Sequence, residues 1–294
     1  LLIVLLGSCL AALVFFVYRV TQSIRVEAIL KRVRDRTIES IRERSKHDPS
    51  GEQFDEIPEP PSDGHLVRSR RTGFFVDLDR DVLDDCDADG DARVWVLVSP
   101  GEFVTTGMPV AIATHFDDDE VDDEVEGWLM FDTERWIEAD YSFGVRSIAD
   151  VAIKALSPGI NDPTTASMAV HRIAEVMAVA ATTRGDRALE LGGGGVVFVP
   201  IRAWEHTLDE LLDQIAHYGR DDTQVVIELI RLLRSLAWVD GDVDRTDELR
   251  AACDRLATLV DVERSSGEQA LVDREFGLLE RALDGDATGL FNGG

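Results

Sequence analysis

Asn161, Asp162, Thr164 and Thr165 sit within the twelve residues ALSPGINDPTTA, 155–166, and offer more polar variety than a turn requires. An amide, a carboxylate and two hydroxyls around a helix start suit an anion, because backbone N–H groups are exposed there and the helix end carries partial positive charge. Arg146 and Lys154 are the nearest upstream cations that can complete such a pocket, and Asp140 precedes them. These seven residues form the candidate ligand-binding set. No nucleophile–base pair and no metal-ligand spacing accompanies them, so no catalytic residue, metal or cofactor is assigned. The competing reading is a capped turn: Ser157-Pro158-Gly159 stops one helix, and Asp162 caps the next with Pro163 at its first position. On that reading Asp162→Ala is costly, and Asn161→Ala and Thr164→Ala cost little.

Other constellations fall short of chemistry. Asp85, Asp87, Asp89, Gly90 and Asp91 match the first half of a calcium loop, but the twelfth position, where a bidentate Glu is needed, is Val96. The run 117–126 holds eight acids in ten residues without a fixed turn and reads as a solvated face. The four glycines 192–195 lack the strand-before, helix-after context of a phosphate loop, and no Gly-Lys-Ser/Thr follows. His206 and His217 share a helix face but lie roughly 16 Å apart along its axis, too far for one metal ion.

The elements that must position the hinge are helices. Ile148, Val151, Ala152 and Ala155 fall on one helical face, and AVHRIAEVMAVAA continues the helix that starts at Pro163. Further helices are expected near 203–218, 222–239, 243–262 and 266–284, with Trp204, Leu208, Leu211, Leu212 and Ile215 on one buried face. Between Leu66 and Thr114 the period changes to short strands, LVRS, GFFV, ARVWVLV and VAIAT, and Trp128–Phe131 reads as one more. SPGEFVTTGMPV, 99–110, is similar to the turns of biotinyl and lipoyl carrier domains, which suggests a small barrel-like module. No lysine lies between 47 and 153, which excludes covalent biotin or lipoate.

The chain of 294 residues is 45% hydrophobic, long enough for about two domains. Its net charge of −27 disfavours a nucleic-acid partner. Cys9, Cys86 and Cys253 suggest no disulfide framework and a reducing compartment. Residues 1–18 carry no charge and span about 27 Å as a helix, against roughly 30 Å of membrane hydrocarbon. The expectation is a transmembrane helix over 1–20, truncated at its start. Residues 19–46 follow with nine basic side chains against four acids, a local +5 that leaves −32 for 47–294. Basic residues beside a span stay on the cytoplasmic side, so 21–294 are expected in the cytoplasm, at the cell membrane. Val26, Leu30, Val33, Thr37 and Ile41 stripe one face of a basic helical stalk over 21–47. Three partners for the stripe stay open: another membrane helix, another subunit, or the body of the same chain. A Pro/Gly/acid-rich linker, 48–64, a β-rich module, 65–131, and a mainly helical domain, 132–290, complete the order.

ALSPGINDPTTA, together with DYSFGVRSI (140–148) and VYRVTQSIRV (17–26), resembles the domain of unknown function 2254 family of predicted integral membrane proteins of bacteria and archaea. The resemblance runs over essentially the whole chain. The family's usual Gln-Asp-Pro-x-Phe-Gly element stands here as Ala139-Asp140-Tyr141-Ser142-Phe143-Gly144; Asp140, Phe143, Gly144 and Arg146 match, and the Gln and Pro positions do not. The resemblance implies several membrane helices in the full protein, hence a multi-pass topology, and implies no activity. The expected fold class is therefore α+β and membrane-anchored: transmembrane helix, stalk, barrel-like module, then helical domain. The expected function is an integral membrane protein with a cytoplasmic binding or regulatory body, related to a channel or transporter. Its expected partners are the lipid bilayer, a homo-oligomer formed through membrane and stalk helices, and a small ligand or ion. The alternatives are a membrane-bound enzyme with its site at the hinge and a purely structural scaffold.

Overall fold

Alternating apolar residues and tight turns between residues 65 and 114 fold into short strands, whereas the 3.6-residue apolar periods on either side fold into helices. The computed structural model of the chain describes residues 26–46, 57–116, 120–183, 187–239 and 244–287. In chain order the elements are α1 (Val26–Lys46), β1 (His65–Arg68), β2 (Gly73–Leu78), α2 (Arg80–Asp84), β3 (Arg93–Val96), β4 (Phe103–Val104), β5 (Pro109–Thr114), α3 (Val121–Trp128) and β6 (Leu129–Asp132). There follow α4 (Tyr141–Ala155), α5 (Pro163–Ala181), β7 (Arg187–Glu190), β8 (Val196–Val199), α6 (Trp204–Gly219), α7 (Thr223–Leu236), α8 (Thr246–Leu259) and α9 (Ser266–Leu283).

Two sheets form. One has five strands in the order β1-β5-β3-β8-β7, the other three in the order β4-β2-β6. Pairing is antiparallel except between β3 and β8, where Val94 lies opposite Val197 in parallel register. Val67, Val94, Ala111 and Val197 are wholly buried, with Trp128 of α3 packed into the same core. The second core lies among the helices and joins α1 and α4–α9.

Two expectations need correction, and one open choice is answered. The β-rich part is not a barrel: among the described residues both sheets have open edges, and the β7–β8 hairpin, from the part expected to be mainly helical, completes the larger one by pairing with β3. That pairing joins residues about a hundred apart in sequence, beyond the reach of any local pattern. Second, the partner of the α1 stripe, left open among three, is the body of the same chain. Leu30, Thr37 and Ile41 are buried, and the helix packs against α4 and α5 of the same chain. Gly144 permits the approach, since a Cβ there would lie 2.1 Å from the Thr37 hydroxyl. Third, the membrane-anchored architecture is not seen: among the described residues no helix is long and apolar enough to cross a membrane. The transmembrane helix expected over 1–20 lies outside the described residues.

Candidate functional site

The hinge folds as a turn between two capped helices. Asp162 accepts from the Thr165 N–H at 3.1 Å and from its hydroxyl at 2.5 Å, which caps α5 with Pro163 in the first turn. These two bonds hold the Asp162 carboxyl below its usual value of 3.8. Asn161 has φ +48°, in the left-handed region where Asn is among the few tolerated side chains. Its N–H donates to the Ser157 carbonyl, and the Asp162 N–H reaches back to Ala155, so the turn satisfies the end of α4. Thr164 and Lys154 are exposed.

The other candidates lie elsewhere. Asp140 caps the opposite end of α4, about 22 Å away along a fifteen-residue helix. It is 4% exposed, and its carboxylate accepts from the Ser142 N–H at 2.9 Å and the Ser142 hydroxyl at 2.6 Å, while Arg135 pairs with its other oxygen. Arg135 also stands over the Phe143 ring at 4.9 Å. Gly101, φ +86°, presses against the same carboxylate, where a Cβ would come within 2.1 Å of Asp140 Oδ2. Asp140, Phe143 and Gly144 thus form a joint between the small sheet, α1 and α4. Arg146 is held by Asp150 at 2.9 Å and by Glu210 of α6 at 3.1 Å. The structure therefore brings together Asn161, Asp162, Thr164 and Thr165, and leaves Asp140 and Arg146 outside that group.

Charge converges instead at a recess of about 50 Å³ between α1, α4 and α6, whose walls include Ser40, Arg44, Tyr141, Thr183, Arg202 and Arg245. Trp204, Ile41 and Ala180 give it an apolar side. Arg44 donates to the carbonyls of Glu138 and Ala139, and Ser40 to that of Ile137 at 3.0 Å. Arg245 lies over the Trp204 ring at 5.3 Å and pairs with Glu248 at 3.1 Å, and Arg202 pairs with Glu210 at 2.6 Å. Burial pushes the Tyr141 hydroxyl up to about 12, so it stays protonated at neutral pH. These residues come from five places in the chain, and no spacing in the sequence links them. A larger cleft, about 880 Å³, runs over the β1–β5–β3 surface beside His65, Arg93, Thr114, His115 and Phe116. There His65 meets Asp122 at 3.0 Å, and His115 holds φ +62°.

A joint built on Asp140, Phe143 and Gly144, a left-handed Asn before a capped helix, and a basic first helix packed onto both define an α+β body with an apolar, positively flanked segment ahead of it. The chain belongs to the family described as "Predicted membrane protein (DUF2254)", which matches residues 1–235. It is 28% identical over 246 residues to an uncharacterized protein of Mycobacterium bovis and equally to one of Mycobacterium tuberculosis, covering 78% of this chain and 46% of each relative. The chain thus spans about half the length of these curated relatives. No solved structure matches it significantly.

Proposed function

We propose that the chain is the cytoplasmic regulatory part of a multi-pass cell-membrane protein, with a ligand-binding body coupled to a transport or channel activity of the membrane segments. The observation that supports this is the seating of α1. The helix that carries most of the basic N-terminal stretch is buried along Leu30, Thr37 and Ile41 in the helical core, so a rearrangement of the body is a rearrangement of α1. Its cations are also engaged by the body, Arg34 with Glu175 at 3.0 Å and Arg36 with Glu138. With the α1 stripe covered by α4 and α5, self-association is assigned to the membrane segments.

The test is ion and solute flux through the full-length protein in vesicles, with Leu30→Asp as the uncoupling variant. Flux in the wild type that is altered when α1 is displaced supports the reading. No flux in either protein, with assembly intact, favours a structural scaffold. A cysteine placed within 48–64 should resist an impermeant thiol reagent in intact cells; ready labelling from outside would sink the cytoplasmic orientation.

A further inference from the structure

We propose that the recess walled by Arg44, Arg202 and Arg245 is a binding site for a free tetrahedral oxyanion, inorganic phosphate or sulfate. Three guanidinium groups meet there with the hydroxyls of Ser40, Tyr141 and Thr183, and among the described residues no carboxylate lines the walls, in a chain with 57 acidic residues against 30 basic ones. The planar guanidinium fork matches tetrahedral oxyanions in pairs of parallel hydrogen bonds. The Nε atoms of Arg202 and Arg245 are buried without a hydrogen-bond partner, so both guanidinium groups keep unused donor capacity beside the recess. Trp204, Ile41 and Ala180 keep one side dry, which strengthens each charge-assisted bond. The protonated Tyr141 adds a neutral donor rather than a repelling charge.

Size selects the ligand. The recess offers about 50 Å³, and a water needs about 10–15 Å³ on the same measure, so three or four waters or one small oxyanion fit. A nucleotide or a glycerophosphoryl headgroup is too large. The site spans elements: Ser40 and Arg44 belong to α1, Tyr141 begins α4, Thr183 follows α5, Arg202 precedes α6 and Arg245 precedes α8. A bound oxyanion therefore ties α1 to the helical core. This inference deepens the reading of a ligand-responsive body and rests on it only for the effect in the membrane, since binding is measured separately from flux.

The experiment is calorimetric titration and thermal melting of the full-length protein in detergent with potassium phosphate and potassium sulfate, at constant ionic strength made up with potassium chloride. Saturable one-site binding of phosphate or sulfate is expected, with none for chloride. Arg202→Gln and Arg245→Lys should each weaken it by about tenfold or more, the loss expected for a charge-assisted hydrogen bond. Arg245→Lys keeps the charge over Trp204, so a folded protein is retained for the comparison. Arg250→Gln, on the exposed side of α8 where Arg250 pairs with Asp284, should leave binding unchanged. Equal effects of chloride, affinity unchanged in both recess variants, or tighter binding of glycerol 3-phosphate or phosphatidylglycerol vesicles than of phosphate would overturn the proposal, the last by making a lipid headgroup the ligand.

Discussion

Asn161 shows how one backbone angle changes the consequence of a substitution. At φ +48° the residue occupies a conformation that costs an ordinary L-residue roughly 1–2 kcal/mol and costs glycine nothing. Asn161→Gly should preserve or slightly raise the melting temperature, and Asn161→Ala should destabilise by about 1 kcal/mol, measured by thermal unfolding. This departs from the expectation that Asn161→Ala is cheap, because the left-handed angle is invisible in the sequence. Asp162→Ala should also lower the melting temperature, since it removes two bonds to Thr165. The Asp162 carboxyl is held below 3.8, so its stabilisation is complete above that pH and is lost as the pH falls through the lower folded value. The thiols follow the same logic of environment. Burial raises both Cys86 and Cys253 from 9.0 to about 11. At pH 8 each is about a thousandth thiolate, so alkylation should be slow in the native protein and should rise sharply on unfolding. Fast labelling of either thiol under native conditions would contradict the burial.

Among the elements, α7 and α9 are joined by a buried carboxylate. Glu275 is 8% exposed and accepts from Arg231 at 3.0 Å and Arg234 at 2.6 Å. Arg231 also pairs with Glu228, which in turn contacts His171 of α5 at 2.7 Å. Removing the shared acceptor takes away the carboxylate that Arg234 pairs with, while the exposed Arg231 keeps Glu228, so Glu275→Ala should destabilise by about 1–3 kcal/mol in denaturant unfolding. Glu275→Gln, which keeps an acceptor, should cost less; equal costs would mean that packing and not charge holds α9. This pairing was not legible in the sequence, and neither was the recess, because Arg44, Tyr141, Arg202 and Arg245 meet only through tertiary packing. What was legible is local. Asp162 and Pro163 announced the start of α5, and the apolar face of Trp204–Ile215 announced α6. The stripe on α1 was legible as a face needing cover, and the residue that admits its cover, Gly144, lies more than a hundred positions away.

At the scale of the whole molecule, charge outweighs any single contact. A net −27 confined to one folded chain repels itself, and the penalty acts on the compact state more than on the unfolded chain. Ion pairs such as Arg255–Asp213 and Arg250–Asp284 offset part of it, but they lie at exposed positions where solvent screens them and each adds little. Thirty cations cannot pair fifty-seven carboxylates, so the residual repulsion exceeds what the pairs return. Salt screens both, and it screens the long-range repulsion first: the Debye length falls from about 30 Å at 0.01 M to about 8 Å at 0.15 M, shorter than most separations between surface charges. The melting temperature should therefore rise with potassium chloride, by several degrees or about 2–4 °C per kcal/mol, with most of the gain below about 0.15 M. Sodium chloride should act equally, since screening depends on ionic strength and not on the cation. An effect of phosphate or sulfate beyond this curve, at matched ionic strength, separates occupancy of the arginine recess from bulk screening. A melting temperature that falls steadily as chloride is added would show that the paired charges, and not the unpaired carboxylates, set the balance.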